Sequence, residues 1–129
     1  MIEIYKTDEN RHLNNIEEMT KGSWVNIVAP TEAEISYICT TLKLPIKFMK
    51  DPLGDEQRPR IEKEDDNVLI IVDFPYLTRD EVDLPIFETI PIGMIFTKDC
   101  FITVSLKETP ILANFKNNKI KGFFTNKKT

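Results

Sequence analysis

Val68-Leu69-Ile70-Ile71-Val72 is apolar at every position. A strand with one wet face alternates apolar and polar residues, so a run of this kind needs cover on both faces. The sequence therefore predicts a central strand here, with helices above and below it. The rest of the chain has to supply neighbouring strands and two covers.

Several segments read as strands. Ile2 to Lys6 alternates, and Leu13 to Met19 is read as a second strand closing a hairpin with it. Gly22 to Pro30 contains a β-branched and aromatic run, opened by Gly and closed by Pro. Arg60–Glu64 and Val68–Phe74 flank Glu64-Asp65-Asp66-Asn67, a composition that favours a hairpin turn. Pro75 to Leu84 reads as a polar excursion with Arg79-Asp80-Glu81 at its tip. Ile86 to Thr97 is again extended, and Pro91 places its start at an edge or bulge. Phe101 to Leu106 is the last predicted strand.

Helix signals lie between the strands. Thr31-Glu32-Ala33-Glu34 is a capping box, in which the Thr hydroxyl and the Glu carboxylate satisfy amides at the helix start. Ile35, Ile38, Cys39 and Leu42 then recur on one helical face. Pro45 suits the first turn of a short second helix, which Pro52 and Gly54 stop. Pro110 opens a further helix running toward Ile120. With 129 residues, one domain over 1–129 is expected. The expected fold class is α+β: a three-layer α/β/α domain with a mixed, largely antiparallel central sheet.

Charge narrows the function. The net charge is −4, and residues 116–129 hold five lysines and no acid, so the remaining body is strongly acidic. Phosphate contacts need Lys and Arg, so nucleic acid is not an expected partner. No uncharged run approaches the roughly 20 apolar residues of a membrane span. Cys39 and Cys100 stand apart from each other and from any metal-type spacing, which fits a reducing compartment. The N-terminus has no basic start followed by an apolar run, so no secretory signal is read there.

No enzymatic signature is present. The single histidine, His12, lies in a polar loop, and no nucleophile elbow, phosphate loop or dinucleotide fingerprint occurs. Glu64-Asp65-Asp66 lacks the spaced ligands of a calcium loop and is read as a turn. The chain is not expected to be an enzyme.

Between the second helix and the next strand runs Met49-Lys50-Asp51-Pro52-Leu53, then Asp55-Glu56-Gln57-Arg58-Pro59-Arg60-Ile61-Glu62. Together with Trp24-Val25-Asn26-Ile27, Pro30 to Glu34, Asp66 to Ile71 and Phe101 to Val104, this block resembles the N-terminal cytoplasmic domain of CorA-type magnesium transporters. The resemblance covers about residues 22–115. It implies a soluble regulatory domain on the cytoplasmic side of the cell membrane, joined in the full-length protein to a stalk helix and two membrane spans. The Gly-Met-Asn motif that ends the first span is absent here, so the chain is expected to be a fragment that touches the membrane only through those missing helices.

The resemblance further implies a pentamer of identical subunits, transport of magnesium or cobalt, and regulatory Mg2+ bound between subunits. The metal ligand it places in this chain is Asp51. Some members carry a second acid just before that position. Here Lys50 stands there, and its charge opposes a divalent ion. The partner acid belongs to a neighbour's stalk helix, so an isolated domain holds half a site and should bind weakly. The alternative function is a free-standing binding or scaffold domain of the same fold. The Gln57-Arg58-Pro59-Arg60 stretch is read as the turn feeding the hairpin.

Overall fold

The computed structural model describes residues 1–9, 12–54 and 58–108. The strands are β1 (Ile2–Thr7), β2 (Leu13–Ile16), β3 (Ser23–Val28), β4 (Arg60–Glu64), β5 (Asn67–Arg79), β6 (Pro85–Phe96) and β7 (Cys100–Ser105). Between β3 and β4 lie α1 (Glu32–Leu42), α2 (Ile46–Lys50) and a single 3-10 turn, Asp51–Leu53. The seven strands form one sheet in the order β2-β1-β3-β7-β6-β5-β4. β3 and β7 pair in parallel, and the other pairings are antiparallel. The mixed α+β fold follows the sequence expectation. The predicted helix from Pro110 lies outside the described residues.

The connectivity explains the position of the helices. After β3 the chain crosses the sheet through α1, α2 and the 3-10 turn to reach the far edge at β4. It then returns strand by strand to β7, beside β3. The crossing segment must bury one side on the sheet. From α1 it contributes Ile35, Ile38 and Cys39, and from α2 it contributes Phe48 and Met49. They meet Val25, Ile27, Leu69, Ile71, Ile95, Ile102 and Val104 in one core. Each large aliphatic or aromatic side chain so buried contributes roughly 1.5–3 kcal/mol.

The capping box at the start of α1 is present as read. The Glu34 amide donates to Thr31 Oγ1 at 3.1 Å, and the Thr31 amide donates to Glu34 Oε1 at 2.9 Å. The Met1 ammonium also reaches Glu34 Oε1, at 3.1 Å. The Thr31 amide first, and the ammonium second, hold the Glu34 carboxyl below its ordinary pKa.

The opposite face carries a second cluster of Tyr5, Leu13, Trp24, Ile90 and Ile92. A polar chain runs through it. The indole of Trp24 donates to Thr103 Oγ1 at 2.9 Å, and the Thr103 hydroxyl donates to Asn26 Oδ1 at 2.8 Å. Asn26 donates on to Glu3 at 3.5 Å, and the Tyr5 hydroxyl donates to Glu3 at 2.8 Å. Asn26 and Thr103 are both buried, so these bonds satisfy groups that water does not reach.

Two expectations are corrected. The apolar run in β5 is not the middle of the sheet: β5 lies next to the edge strand β4, and β3 and β7 occupy the middle. Leu69 and Ile71 are buried beneath the helices, whereas Val68, Ile70 and Val72 on the other face are only partly covered. The polar excursion from Pro75 is also a strand. β5 and β6 pair continuously out to Arg79 opposite Pro85, well past the last β7 partner, where Ser105 faces Ile92. The two strands thus project as a ribbon, with Leu77 opposite Phe87 and both exposed. Pro91 lies just past that last partner, where β6 has an edge, as its missing amide requires.

One contact fixes where the crossing segment lands. Gly93 sits in β6 on the helix-covered face, between Val104 of β7 and Ile71 of β5. A Cβ built on Gly93 would lie 2.3 Å from Cγ and 2.8 Å from Cβ of Pro52. Pro52 therefore occupies the space that any other residue at position 93 would fill.

Three outcomes follow from this packing. Gly93→Ala should lift the 3-10 turn from the sheet and cost about 2 kcal/mol, within the usual range for overpacking. A urea midpoint equal to wild type would contradict the contact. Thr103→Val keeps the volume but removes the hydroxyl that accepts from the Trp24 indole and donates to Asn26 Oδ1. It should cost about 1–3 kcal/mol and shift the fluorescence of the single tryptophan. Glu34 has a lowered pKa in the folded state, so its contribution is present above its unfolded pKa and lost as pH falls through the folded one. Glu34→Gln should accordingly lose stability near neutral pH and show a shallower acid limb in pH-dependent unfolding.

Candidate functional site around Asp51

The site is built from the end of the crossing segment and the start of the edge strand. Pro45 enters α2 with extended backbone (φ −62°, ψ 137°). Phe48 and Met49 then point into the core and leave Lys47 and Lys50 on the outer side. Asp51 remains helical, and its amide donates to the Lys47 carbonyl. Pro52 cannot continue the hydrogen-bonding pattern, so the chain tightens into the 3-10 turn, closed by the Gly54 amide on the Asp51 carbonyl at 3.1 Å. Because Pro52 is seated over Gly93, the Asp51 carboxylate is presented from a fixed point at the rim of the sheet.

β4 brings two further charges to that rim. Its register with β5 sets Arg60 opposite Ile71 and Glu62 opposite Leu69. Arg60 and Glu62 therefore extend the rows of buried residues under the helices and face the crossing segment, while Ile61 points the other way and is exposed. Arg60 Nη2 donates to Asp51 Oδ2 at 2.8 Å, and Arg60 Nε donates to Glu62 Oε1 at 3.0 Å. Lys47 Nζ stands 3.9 Å from Glu62 Oε2. Among the described residues, two cations and two carboxylates thus form one compact group. The side chains of Arg60 and Asp51 are 32% and 31% exposed, so the group is accessible from solvent without being loosely tethered.

Lys50 is engaged elsewhere, with its ammonium 3.3 Å from Glu32 on α1. This contact gives the Lys50 charge a partner on α1. Both groups are at least half exposed, so the pair is worth little energetically.

Asp51 offers an oxygen donor of the type a hard divalent cation prefers, and Mg2+ commonly takes only one or two carboxylates beside its waters. Among the described residues, no group of three or more His, Cys, Asp and Glu gathers that could hold a metal. The described part of one chain thus does not surround such an ion. The sequence places Arg60 where the turn feeding the hairpin meets the strand Arg60–Glu64 and gives it no role in the site, yet it makes the direct ion pair with Asp51. The signal was available in the hairpin register: the Asp65-Asp66 turn puts Glu64 opposite Asn67, and counting back by twos puts Arg60 and Glu62 on the covered side.

Other candidates resolve as structural. Asp65 adopts a left-handed conformation (φ 53°) in the β4–β5 turn, the role predicted for that acidic run. His12 closes the β1–β2 connection through its amide, which donates to Asp8 Oδ1 at 2.9 Å. Cys39 and Cys100 are both buried free thiols, and burial pushes the Cys39 thiol up from its ordinary pKa. No helix of the described residues is long and apolar enough to cross a membrane.

Comparisons with known proteins agree with this architecture. In solved structures the same fold occurs in the complete CorA magnesium transporter from Methanocaldococcus jannaschii, with a TM-score of 0.70 and 14% identity. That match covers 92% of this chain and 36% of the transporter. The soluble domain of CorA from the same organism matches with a TM-score of 0.64 and 17% identity, covering 92% of this chain and 45% of that one. The chain thus spans less than half the length of either. No curated protein matches by sequence. The family described as CorA-like Mg2+ transporter protein matches over residues 20–126, and the chain belongs to that family.

Proposed function

We propose that this chain is the soluble regulatory domain of a CorA-like transporter of magnesium or cobalt. In this reading it lies on the cytoplasmic side of the membrane, in a pentamer of identical subunits. Asp51 is its ligand to regulatory Mg2+ at the contact between neighbours. The observation that carries the reading is the family match over residues 20–126, together with the fixed and solvent-accessible setting of Asp51.

The physics of such a device favours a weak site. An ion that binds between subunits stabilises only the arrangement that brings its ligands together. Moving a two-state equilibrium from almost entirely open to almost entirely closed takes about 5.5 kcal/mol of differential binding. Spread over five interfaces, that is about 1 kcal/mol each. One carboxylate per subunit, already engaged with an arginine, is on the scale required. Tight binding would hold the assembly closed at every ion concentration.

In the assembled transporter, Asp51→Ala should weaken the protection that Mg2+ gives the cytosolic part against limited proteolysis. The midpoint of protection should move to higher Mg2+ by about an order of magnitude, corresponding to about 1.4 kcal/mol. Equal protection of wild type and variant would remove Asp51 from the mechanism.

A further inference from the structure

We propose that Arg60 is an internal counter-ion that competes with the divalent cation for Asp51, and that it transfers to Glu62 when the cation binds. The inference rests on the reading of Asp51 as a cation ligand and adds the element that sets its affinity. Arg60 Nη2 holds Asp51 Oδ2 at 2.8 Å, so an ion taking that oxygen must displace the guanidinium. A cation beside an unmoved arginine would also meet its positive charge at short range, where repulsion is strong in a partly desolvated setting.

The structure provides a destination for the displaced group. Arg60 Nε already donates to Glu62 Oε1 at 3.0 Å. The other oxygen, Glu62 Oε2, is shielded from solvent and, among the described residues, accepts no hydrogen bond. Lys47 Nζ stands 3.9 Å from it, beyond hydrogen-bonding distance. A carboxylate in that state has unused acceptor capacity. Rotation of the guanidinium from Asp51 toward Glu62 would complete a two-point arginine–carboxylate pair, the geometry in which that ion pair is strongest. Arg60 therefore exchanges its bond to Asp51 for a second bond to Glu62, and Asp51 is released without leaving a cation unpaired.

Both anchor points suit an exchange in place. Asp51 is held by the seating of Pro52 over Gly93. Arg60 is held by its register opposite Ile71. The backbone need not move, and the switch lies in the terminal torsions of one side chain. Lysine at position 60 would neutralise Asp51 but cannot form the two-point pair with Glu62.

The test uses this chain with Mn2+ as the probe, following the free ion by electron paramagnetic resonance. Arg60→Met, which keeps the stem and removes the charge, should bind Mn2+ about tenfold more tightly than wild type. The gain should vanish in the Asp51→Asn background. If Asp51→Asn weakens binding but Arg60→Met does not strengthen it, the counter-ion proposal fails and the assignment of Asp51 survives. If Asp51→Asn binds as wild type does, both fail. A gain that persists without Asp51 would mark a general charge effect and also overturns the proposal. A second measurement needs no variant at Arg60. In wild type, Mg2+ should shift the Arg60 side-chain nitrogen resonances, and in Asp51→Asn it should not. Unshifted resonances at saturating Mg2+ would overturn the exchange even where Arg60→Met fails to fold.

Discussion

The structure depends on the seating of Pro52 against Gly93. The chain must travel from the middle of the sheet at β3 to the far edge at β4 before the returning strands can be laid down. That crossing succeeds only if its end is fixed in register with the strands below it. A proline ring filling the space above a glycine does this with two rigid groups, neither of which has rotamer freedom to lose. The same contact places Asp51 one residue upstream, at the rim where β4 begins. Fold and site are therefore set by one packing decision, and position 93 is the point where a side chain would conflict with both.

Local signals in the sequence were reliable where local physics decides. The capping box at Thr31 and Glu34, the apolar stripe of α1 and the Asp65-Asp66 turn each depend on neighbours within a few residues, and each forms as read, while Pro45 stands one residue before the first turn of α2 and not in it. The order of strands depends on distant partners, and there the reading erred. Val68 to Val72 is the most apolar run, yet the middle of the sheet goes to β3 and β7, which carry Asn26, Thr103 and Ser105 in fully buried positions. Those polar groups are tolerable in the interior because Asn26 and Thr103 bond each other and Trp24. That compensation links residues 77 and 79 positions apart and leaves no trace in the pattern of either strand alone. The ribbon beyond Pro75 was missed for a related reason. Its strand character comes from pairing with Pro85–Thr89, and two prolines and several polar residues mask it locally.

Legibility of the site divides in the same way. Asp51 stands out in the sequence only through resemblance to a family motif, and in the fold it joins the charge group at this rim. Arg60, four residues short of the hairpin turn, looked like part of a charged connection. A residue's role in an ion pair is decided by the side of the sheet it takes, and that side is decided by the β4–β5 register. Once the register is known, the alternation of Arg60, Ile61 and Glu62 is informative: the charges face the crossing segment and the isoleucine faces solvent. This inverts the usual arrangement, in which the apolar residue turns inward. An edge strand that directs its charges toward the core side also resists pairing with another chain, so the arrangement serves the solubility of the edge as well as the site.

The charge group at this rim shows why a carboxylate can be both well placed and weakly available. Among the described residues, the two cations and two carboxylates of the group balance in formal charge. Its affinity for an ion depends on what each oxygen gains when a partner is exchanged. A lone, unpaired Asp51 would attract any cation, including the ammonium groups of neighbouring chains. An Asp51 already held by a guanidinium yields only to an ion whose attraction exceeds that bond. Pairing therefore lowers the affinity for every cation by the same displaced bond and leaves the ratio of affinities between ions unchanged. For a domain proposed to report on divalent cation, that tempering keeps the site unsaturated, so that its occupancy follows the ion concentration. The tempering is supplied by residues of a single chain, Asp51, Arg60 and Glu62, held at one edge by the register of one hairpin.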